Sequence, residues 1–91
     1  MCANKKRIEE LYRIITSIDD EKVCKSFFED LCTIQEIDKM AQRIEAAKRL
    51  IDGDTYEEII KETDISSATL SRVSKCVKYG KGYTGVLKKK Q

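Results

Sequence analysis

The chain of 91 residues contains no histidine. That absence removes the commonest general base, the usual partner of a serine or cysteine nucleophile, and a frequent ligand of zinc. The sequence also has no Cys-x-x-C pair, no Gly-rich phosphate loop and no arguable pair of catalytic carboxylates. We therefore predict no catalytic residue, no metal site, no cofactor and no enzymatic activity.

Long apolar runs are missing too. No stretch approaches the roughly 18 apolar residues of a membrane helix, and residues 1–10 contain no hydrophobic signal segment. These absences predict a cytoplasmic protein without a membrane partner. In that compartment the four cysteines, Cys2, Cys24, Cys32 and Cys76, are predicted to be reduced and to fill core space.

Proline is absent and the first glycine is Gly53, so nothing interrupts the first 52 residues strongly. Strand patterns are absent and apolar residues recur at steps of three and four, which predicts an all-α fold. A first helix is expected over about 5–17, and a second after Asp19 or Asp20, whose carboxylate would cap it. The longest helix would begin at a capping box opened by Thr33 and end at Gly53 in a left-handed C-cap.

Two shorter helices are predicted after Gly53. A capping box over 55–58 opens a helix that ends near Thr63. Ser66 or Ser67 would cap the last clear helix, which ends at Gly80. Two such helices joined by a turn of three or four residues fit the helix-turn-helix pattern, in which the second helix lies in the DNA major groove.

Charge is distributed unevenly along the chain. All 16 acidic residues lie in the first 64 residues, although the net charge is only +2. From Ile65 onward there is no acid, and the basic residues are Arg72, Lys75, Lys78, Lys81, Lys88, Lys89 and Lys90. Such a charge asymmetry is typical of a protein that binds a polyanion through one end of the molecule. A solvated basic tail would explain the final lysines but not the cations within the last helix.

Small hydroxyl residues begin that last helix. The first turn of a recognition helix must let the backbone approach base edges, and hydroxyl groups can bond to bases or phosphates there. The predicted contacts with double-stranded DNA are Ser66, Ser67, Ala68, Thr69 and Ser71, with Arg72, Lys75 and Lys78 at phosphates. The plainer alternative is that Ser66 and Ser67 merely cap the helix.

Four motifs lie between Leu31 and Lys75: an opening Leu-x-Thr-x-x-Glu, an Arg ten residues after that Thr, Leu-Ile-x-Gly near 50–53, and Ala-Thr-Leu-Ser-Arg over 68–72. These motifs give the sequence a resemblance to the Trp repressor superfamily, and more closely to its YerC/YecD branch. It implies one domain over 1–91, with dimerisation helices in 1–53, the helix-turn-helix in 54–80 and a basic tail in 81–91. It also implies a Trp-repressor-like helical bundle, an intertwined homodimer, and a sequence-specific transcriptional repressor with a palindromic target.

The resemblance carries over ligand control only in part. Thr33, Arg43 and Arg72 match family positions that line the tryptophan corepressor pocket, where the two arginines sandwich the indole. Val73 stands where that pocket has glycine, and Cys76 where it has a serine that helps to hold the amino group. A small-molecule corepressor therefore stays open, but tryptophan is not expected. The residues themselves favour Arg43 as an exposed or salt-bridged helix residue.

The remaining family positions set limits on the DNA target. Lys61 matches a basic position that faces the DNA backbone, whereas Glu58 replaces a basic residue that contacts DNA, so the operator is not expected to be shared. The Tyr-Gly-rich stretch after Lys78 leaves open whether the tail folds. A rival interpretation is a helix-turn-helix that docks another protein without reading DNA, since sigma-factor region four has a similar Gly-Asp-Thr-Tyr-Glu-Glu-Ile.

Overall fold

A computed structural model describes residues 4–88 and divides the chain into two compact units, Met1–Ile34 and Gln35–Gln91. Residues 4–88 contain six helices and no strand, which confirms the all-α prediction. No helix in this part of the chain is long and apolar enough to cross a membrane. Cys2 and the lysines Lys89 and Lys90, named above, lie outside the described residues.

The first unit contains helices α1 (Lys5–Thr16) and α2 (Glu21–Leu31). Asp20 occupies the N-cap position of α2, but its side chain makes no capping hydrogen bond, so the predicted carboxylate cap is wrong. Its backbone carbonyl instead accepts the first helical bond, from the Cys24 N–H at 2.9 Å. The rings of Phe27 and Phe28 meet edge to face, with centroids 5.9 Å apart. No residue of α1 or α2 is buried, so both helices keep apolar side chains in contact with solvent.

The long helix α3 (Ile34–Asp52) ends as predicted at Gly53, whose φ of 97° only glycine adopts without strain. Arg49 joins this end to the next segment. Its guanidinium contacts the Glu45 carboxylate at 3.2 Å and the Asp54 carboxylate at 3.3 Å. These contacts fix the loop between α3 and α4.

Helices α4 (Tyr56–Thr63) and α5 (Ser67–Tyr79) pack against α3 around one small core. Its fully buried members come from α3, α4, the α4–α5 turn and α5: Ala46, Ala47, Ile59, Ile65, Leu70 and Val73. The alanines on α3 let the two short helices approach its backbone closely, while the larger aliphatic residues fill the space between them. The core therefore holds the helix-turn-helix as one packed piece.

The three described cysteines are free, as predicted, but none fills the core. Cys24 and Cys32 are half-buried and Cys76 is exposed, because alanine and branched aliphatic side chains already occupy the helix crossings. The core-filling prediction for these residues is wrong.

Gly80 ends α5 as predicted, but not in a left-handed C-cap. Its backbone is extended at φ −91° and ψ −178°, and a Cβ built there would lie 2.7 Å from the Cys76 carbonyl oxygen. Close approach, rather than a positive φ, is what requires glycine. Immediately after it the chain forms a sixth helix, α6 (Gly82–Leu87), which the sequence patterns did not indicate.

Candidate nucleic-acid interface

The turn between α4 and α5 consists of residues 64–66. Asp64 takes the left-handed conformation, with φ 62°, and this reverses the chain at the end of α4. The Thr63 hydroxyl donates to the Ile59 carbonyl at 2.7 Å and accepts from the Ile65 N–H at 3.3 Å. Because Ile65 is also buried, both hydrogen bonding and packing fix the angle between the two helices.

The start of α4 is a capping box, as the sequence predicted. The Thr55 hydroxyl accepts from the Glu58 N–H at 3.2 Å, and the Glu58 carboxylate accepts from the Thr55 N–H at 2.8 Å. The backbone N–H of Thr55, and then its side chain, hold the pKa of Glu58 below its ordinary value. Glu58 therefore stabilises the start of α4, and it also places a negative charge in the helix-turn-helix.

Ser66 caps α5, which is the plainer of the two roles considered for it. Its hydroxyl accepts from the Thr69 N–H at 3.2 Å and donates to the Thr69 hydroxyl at 2.9 Å. A threonine hydroxyl that accepts one bond still has its own proton to donate. The Ser67 hydroxyl has no partner among residues 4–88, so it is free to bond outside the protein.

Helix α5 has an inner and an outer face. Leu70, Val73 and Ser74 are buried on the inner face, and Val77 is half-buried there. The predicted DNA contacts that are exposed on α5 are Ser67, Ala68, Ser71, Arg72, Lys75 and Lys78. Thr69 lies at the boundary and is half-buried. The structure thus brings the predicted contacts of α5 onto one accessible surface.

The cations on that surface are not neutralised by the described residues. Arg72, Lys75 and Lys78 make no ion pair within residues 4–88, and α5 has no acid in its first turn. Lys61, on α4, is exposed and also unpaired in this part of the chain. Unpaired cations beside free helix amides form a surface suited to phosphate.

Arg43 and Arg72 line one cavity of about 520 Å³, together with Thr69, Val73, Cys76 and Tyr83. Arg43 is half-buried and makes no ion pair with a described residue, so its interpretation as an exposed or salt-bridged residue is wrong. It lines the cavity with residues of α5 and with Tyr83 of α6 instead. Thr33, the third residue of the predicted pocket, is exposed and belongs to the first unit.

Two residues that position this site were not found from the sequence. The Gln42 side-chain amide donates to the Thr63 carbonyl at 2.9 Å and so ties α3 to the end of α4. Tyr83 reaches the cavity from α6. Both contacts join residues far apart in the chain, and no local pattern indicates them.

Comparison with known proteins places this arrangement in a family. The family model of the Trp repressor protein matches residues 6–91. YerC of Bacillus subtilis strain 168, a protein of uncharacterised function, is 48% identical over 75 residues, which are 82% of this chain and 72% of YerC.

Two solved structures share the fold. A crystal structure from Staphylococcus aureus, provisionally assigned as a Trp repressor, has a TM-score of 0.86 and 35% identity, over 96% of this chain and 92% of that one. A TrpR-like protein from Eubacterium eligens ATCC 27750 has a TM-score of 0.87 and 41% identity, over 92% of this chain and 88% of that one. The family consists of helix-turn-helix DNA-binding regulators rather than enzymes, which confirms the prediction of a non-enzymatic protein. The chain therefore belongs to the Trp repressor family and is of the YerC type.

Proposed function

We propose that the protein is a cytoplasmic transcriptional repressor that binds a specific duplex sequence as a homodimer, through the helix-turn-helix of residues 54–80. The observation that carries the proposal is the exposed outer face of α5, where hydroxyl groups lie beside three cations that make no ion pair within residues 4–88. Ser67, Thr69 and Ser71, with the methyl group of Ala68, would read base edges. Arg72, Lys75 and Lys78 would bind phosphates, and Lys61 would add a phosphate contact from α4.

Two substitutions separate base reading from phosphate binding. Thr69→Ala is expected to weaken discrimination at one base position, because it removes one hydroxyl and leaves the cations in place. Lys75→Ala is expected to weaken binding to every duplex and to reduce the salt slope of log K by about one unit. Both are measured by fluorescence anisotropy, against genomic fragments selected by the purified protein and against scrambled duplexes.

The outcome that contradicts base reading is an equal loss of affinity for all duplexes in both variants. Affinity that is almost independent of salt, together with capture of a protein from nuclease-treated lysate, would favour the docking module instead. Val86→Ala is a suitable control, since this residue is exposed on α6 and is not one of the predicted DNA contacts.

Dimerisation is supported by the uncovered apolar side chains of the first unit. Ile8, Tyr12 and Val23 are all exposed, and no described residue of α1 or α2 is buried. A second copy of the chain would remove this area from water. Sedimentation at low micromolar concentration is expected to give about twice the 10.5 kDa chain mass. A persistent monomer would contradict the homodimer and, with it, paired half-sites about one helical turn apart.

The cavity at Arg43 and Arg72 is proposed as the place where a small-molecule corepressor, if the protein uses one, would bind. Tryptophan is not expected to be that ligand. Val73 is 1% exposed and lines the cavity, so its branched side chain takes space that an indole needs. Equilibrium dialysis against free tryptophan checks this directly, and saturable binding would refute it.

A further inference from the structure

Gln42 forms a hydrogen bond that joins α3 to the helix-turn-helix. Its side-chain amide donates to the Thr63 carbonyl, at the end of α4, at 2.9 Å, although the two residues lie 21 positions apart in the chain. Both residues are half-buried, so water can replace this bond only in part. The bond therefore links α3 directly to the point where α4 turns into α5.

The Thr63 carbonyl needs a donor from outside its own helix. It belongs to the last turn of α4, where carbonyl groups have no partner within the helix. The other hydrogen bonds of this corner are local. The Asp64 N–H donates to the Ile60 carbonyl at 2.9 Å. The Ile65 N–H donates to the Thr63 hydroxyl at 3.3 Å. Gln42 adds the bond that ties this corner to a distant part of the chain.

The corner contains a residue in an uncommon backbone conformation. Asp64 has a φ of 62°, and no other residue apart from glycine has a positive φ within residues 4–88. A side chain makes this left-handed conformation costly, so it persists where the surrounding structure determines it. Asp64 is exposed, so burial of its own side chain does not hold it there. The bonds made by its neighbours Thr63 and Ile65 do.

Packing alone fixes the position of the motif on α3 less strongly than this bond does. Helix α3 contributes Ala46 and Ala47 to the core, and both are fully buried. Each offers a single methyl group, and apolar contacts have no preferred direction. They therefore oppose a small shift of α4 and α5 less than large interlocking side chains would. A hydrogen bond weakens steeply when its length or angle changes, so Gln42 sets the register of the motif on α3.

A change of angle at the corner is magnified along the recognition helix. Helix α5 has 13 residues. At a rise of about 1.5 Å per residue, a rotation of roughly 10° at the corner moves its far end by about 3 Å. Hydrogen bonds to bases need heavy atoms roughly 2.7–3.2 Å apart, whereas attraction to phosphate acts over about 10 Å at 0.1 M salt. In the proposed homodimer two such helices must fit one duplex, so the misalignment enters twice.

We propose that Gln42 is a positioning residue for the recognition helix. Its amide holds the α4–α5 corner in one register on α3, and in this way it sets how selectively the protein binds its target duplex. Gln42 acts through the corner and not by contact with DNA. The effect on selectivity rests on the function proposed above, whereas the hold on the corner does not.

Amide hydrogen exchange in the full-length protein tests the hold on the corner. Gln42→Met keeps the length of the side chain and removes the donor. Exchange of the Asp64 and Ile65 amides is expected to become about tenfold faster, as loss of a hydrogen bond to a half-buried carbonyl implies. Amides of the first unit should exchange at their natural rates. Gln35→Met is the matched control, because it makes the same substitution at an exposed position of the same helix.

The selectivity of DNA binding separates positioning from simple destabilisation. A fall in the folded fraction weakens binding to selected and to scrambled duplexes by the same factor, so the ratio of the two affinities stays constant. Gln42→Met is expected to lower this ratio by about tenfold, which corresponds to the loss of one or two hydrogen bonds to bases. Fluorescence anisotropy measures both affinities, and Gln35→Met should keep the natural ratio.

Two further variants extend the test. Gln42→Asn remains polar but ends one methylene short of the carbonyl, so it should reproduce both effects even if Gln42→Met fails to fold. Gln42→Lys restores a donor of sufficient length and should return exchange at Asp64 and Ile65 towards the natural rates. Only exchange is compared for this variant, because its added charge itself favours DNA.

The proposal is refuted if Gln42→Met and Gln42→Asn leave exchange at the corner unchanged. It is also refuted if both variants speed that exchange and the affinity ratio stays at its natural value. A natural chain that prefers no duplex would instead overturn the proposed function, and the exchange rates would still decide whether Gln42 holds the corner.

Discussion

Ser66 and Ser67 allow the capping of α5 to be separated from its proposed contact with DNA. The Ser66 hydroxyl accepts from the Thr69 N–H and donates to the Thr69 hydroxyl, whereas Ser67 has no partner among residues 4–88. Removal of an N-cap serine costs about 1 kcal/mol. For a domain of this size that corresponds to a fall of about 4–8 °C in Tm. Ser67→Ala removes an exposed group and should change the unfolding free energy by less than about 0.5 kcal/mol.

For DNA affinity the two serines should rank the other way, with Ser67 contributing more than Ser66. Ser67→Ala would lose one hydrogen bond to the duplex, worth about 0.5–1.5 kcal/mol, or roughly two- to twelvefold in affinity. Ser66→Asp keeps a capping oxygen and should hold the unfolding free energy near that of the natural protein. It also places a carboxylate at the proposed DNA surface, so its affinity should fall at low salt more than at high salt.

The loss of stability is measured by urea unfolding, monitored by circular dichroism. The protein concentration is held fixed, because the stability of a dimer depends on concentration. Fluorescence anisotropy with the selected duplex measures the loss of DNA affinity. Equal unfolding free energies for Ser66→Ala and Ser67→Ala would refute the cap. Undiminished DNA binding by Ser66→Asp would refute the placement of the start of α5 against a duplex.

Two further substitutions test the elements that position the site. Glu58→Gln removes the carboxylate of the capping box. The Thr55 N–H lowers the pKa of Glu58 in the folded state, so the ionised carboxylate stabilises the folded protein. This stabilisation is complete well above the ordinary glutamate pKa of about 4.3 and disappears as the pH falls through the folded pKa. Thermal unfolding from neutral to acid pH should therefore show the variant and the natural protein converging at low pH, and a constant difference would contradict the assignment. Gly53→Ala should lower the unfolding free energy by about 1–2 kcal/mol, because the backbone strain at φ 97° acts even though the added Cβ meets no atom within 4 Å. Gly85→Ala is the matched control and should not destabilise; equal losses in both would show that a positive φ is not the cause.

Five of the six helices could be predicted because their signals are local. The Thr55 capping box, Gly53 and the Ser66 cap each act within a few residues of their own position, so the chain alone indicates them. Helix α6 could not be predicted, because two glycines in six residues argue against a helix and its existence depends on the packing of Tyr83 and Leu87. The extended conformation of Gly80 could not be predicted for a related reason. What requires glycine there is a contact with Cys76, not a positive φ.

In the candidate site, too, local features could be predicted from the sequence and features that depend on packing could not. The outer face of α5 follows from helical periodicity, so the exposure of Arg72 and Lys75 could be predicted from the sequence. The cavity was not, because burial of Arg43 and the approach of Tyr83 depend on how α3, α5 and α6 pack. Prediction from the chain was therefore strong for which residues of α5 are exposed and weak for the packing around them.

The division of α5 into two faces has a consequence for how this lineage can change over time. Leu70 and Val73 hold the fold, while Ala68, Ser71 and Lys75 take no part in its core. Under the proposed function, a single exchange at one of the outward positions would redirect the chain to a new DNA target and leave its melting point almost unchanged. Related sequences are expected to differ first at these outward positions and last at the buried positions.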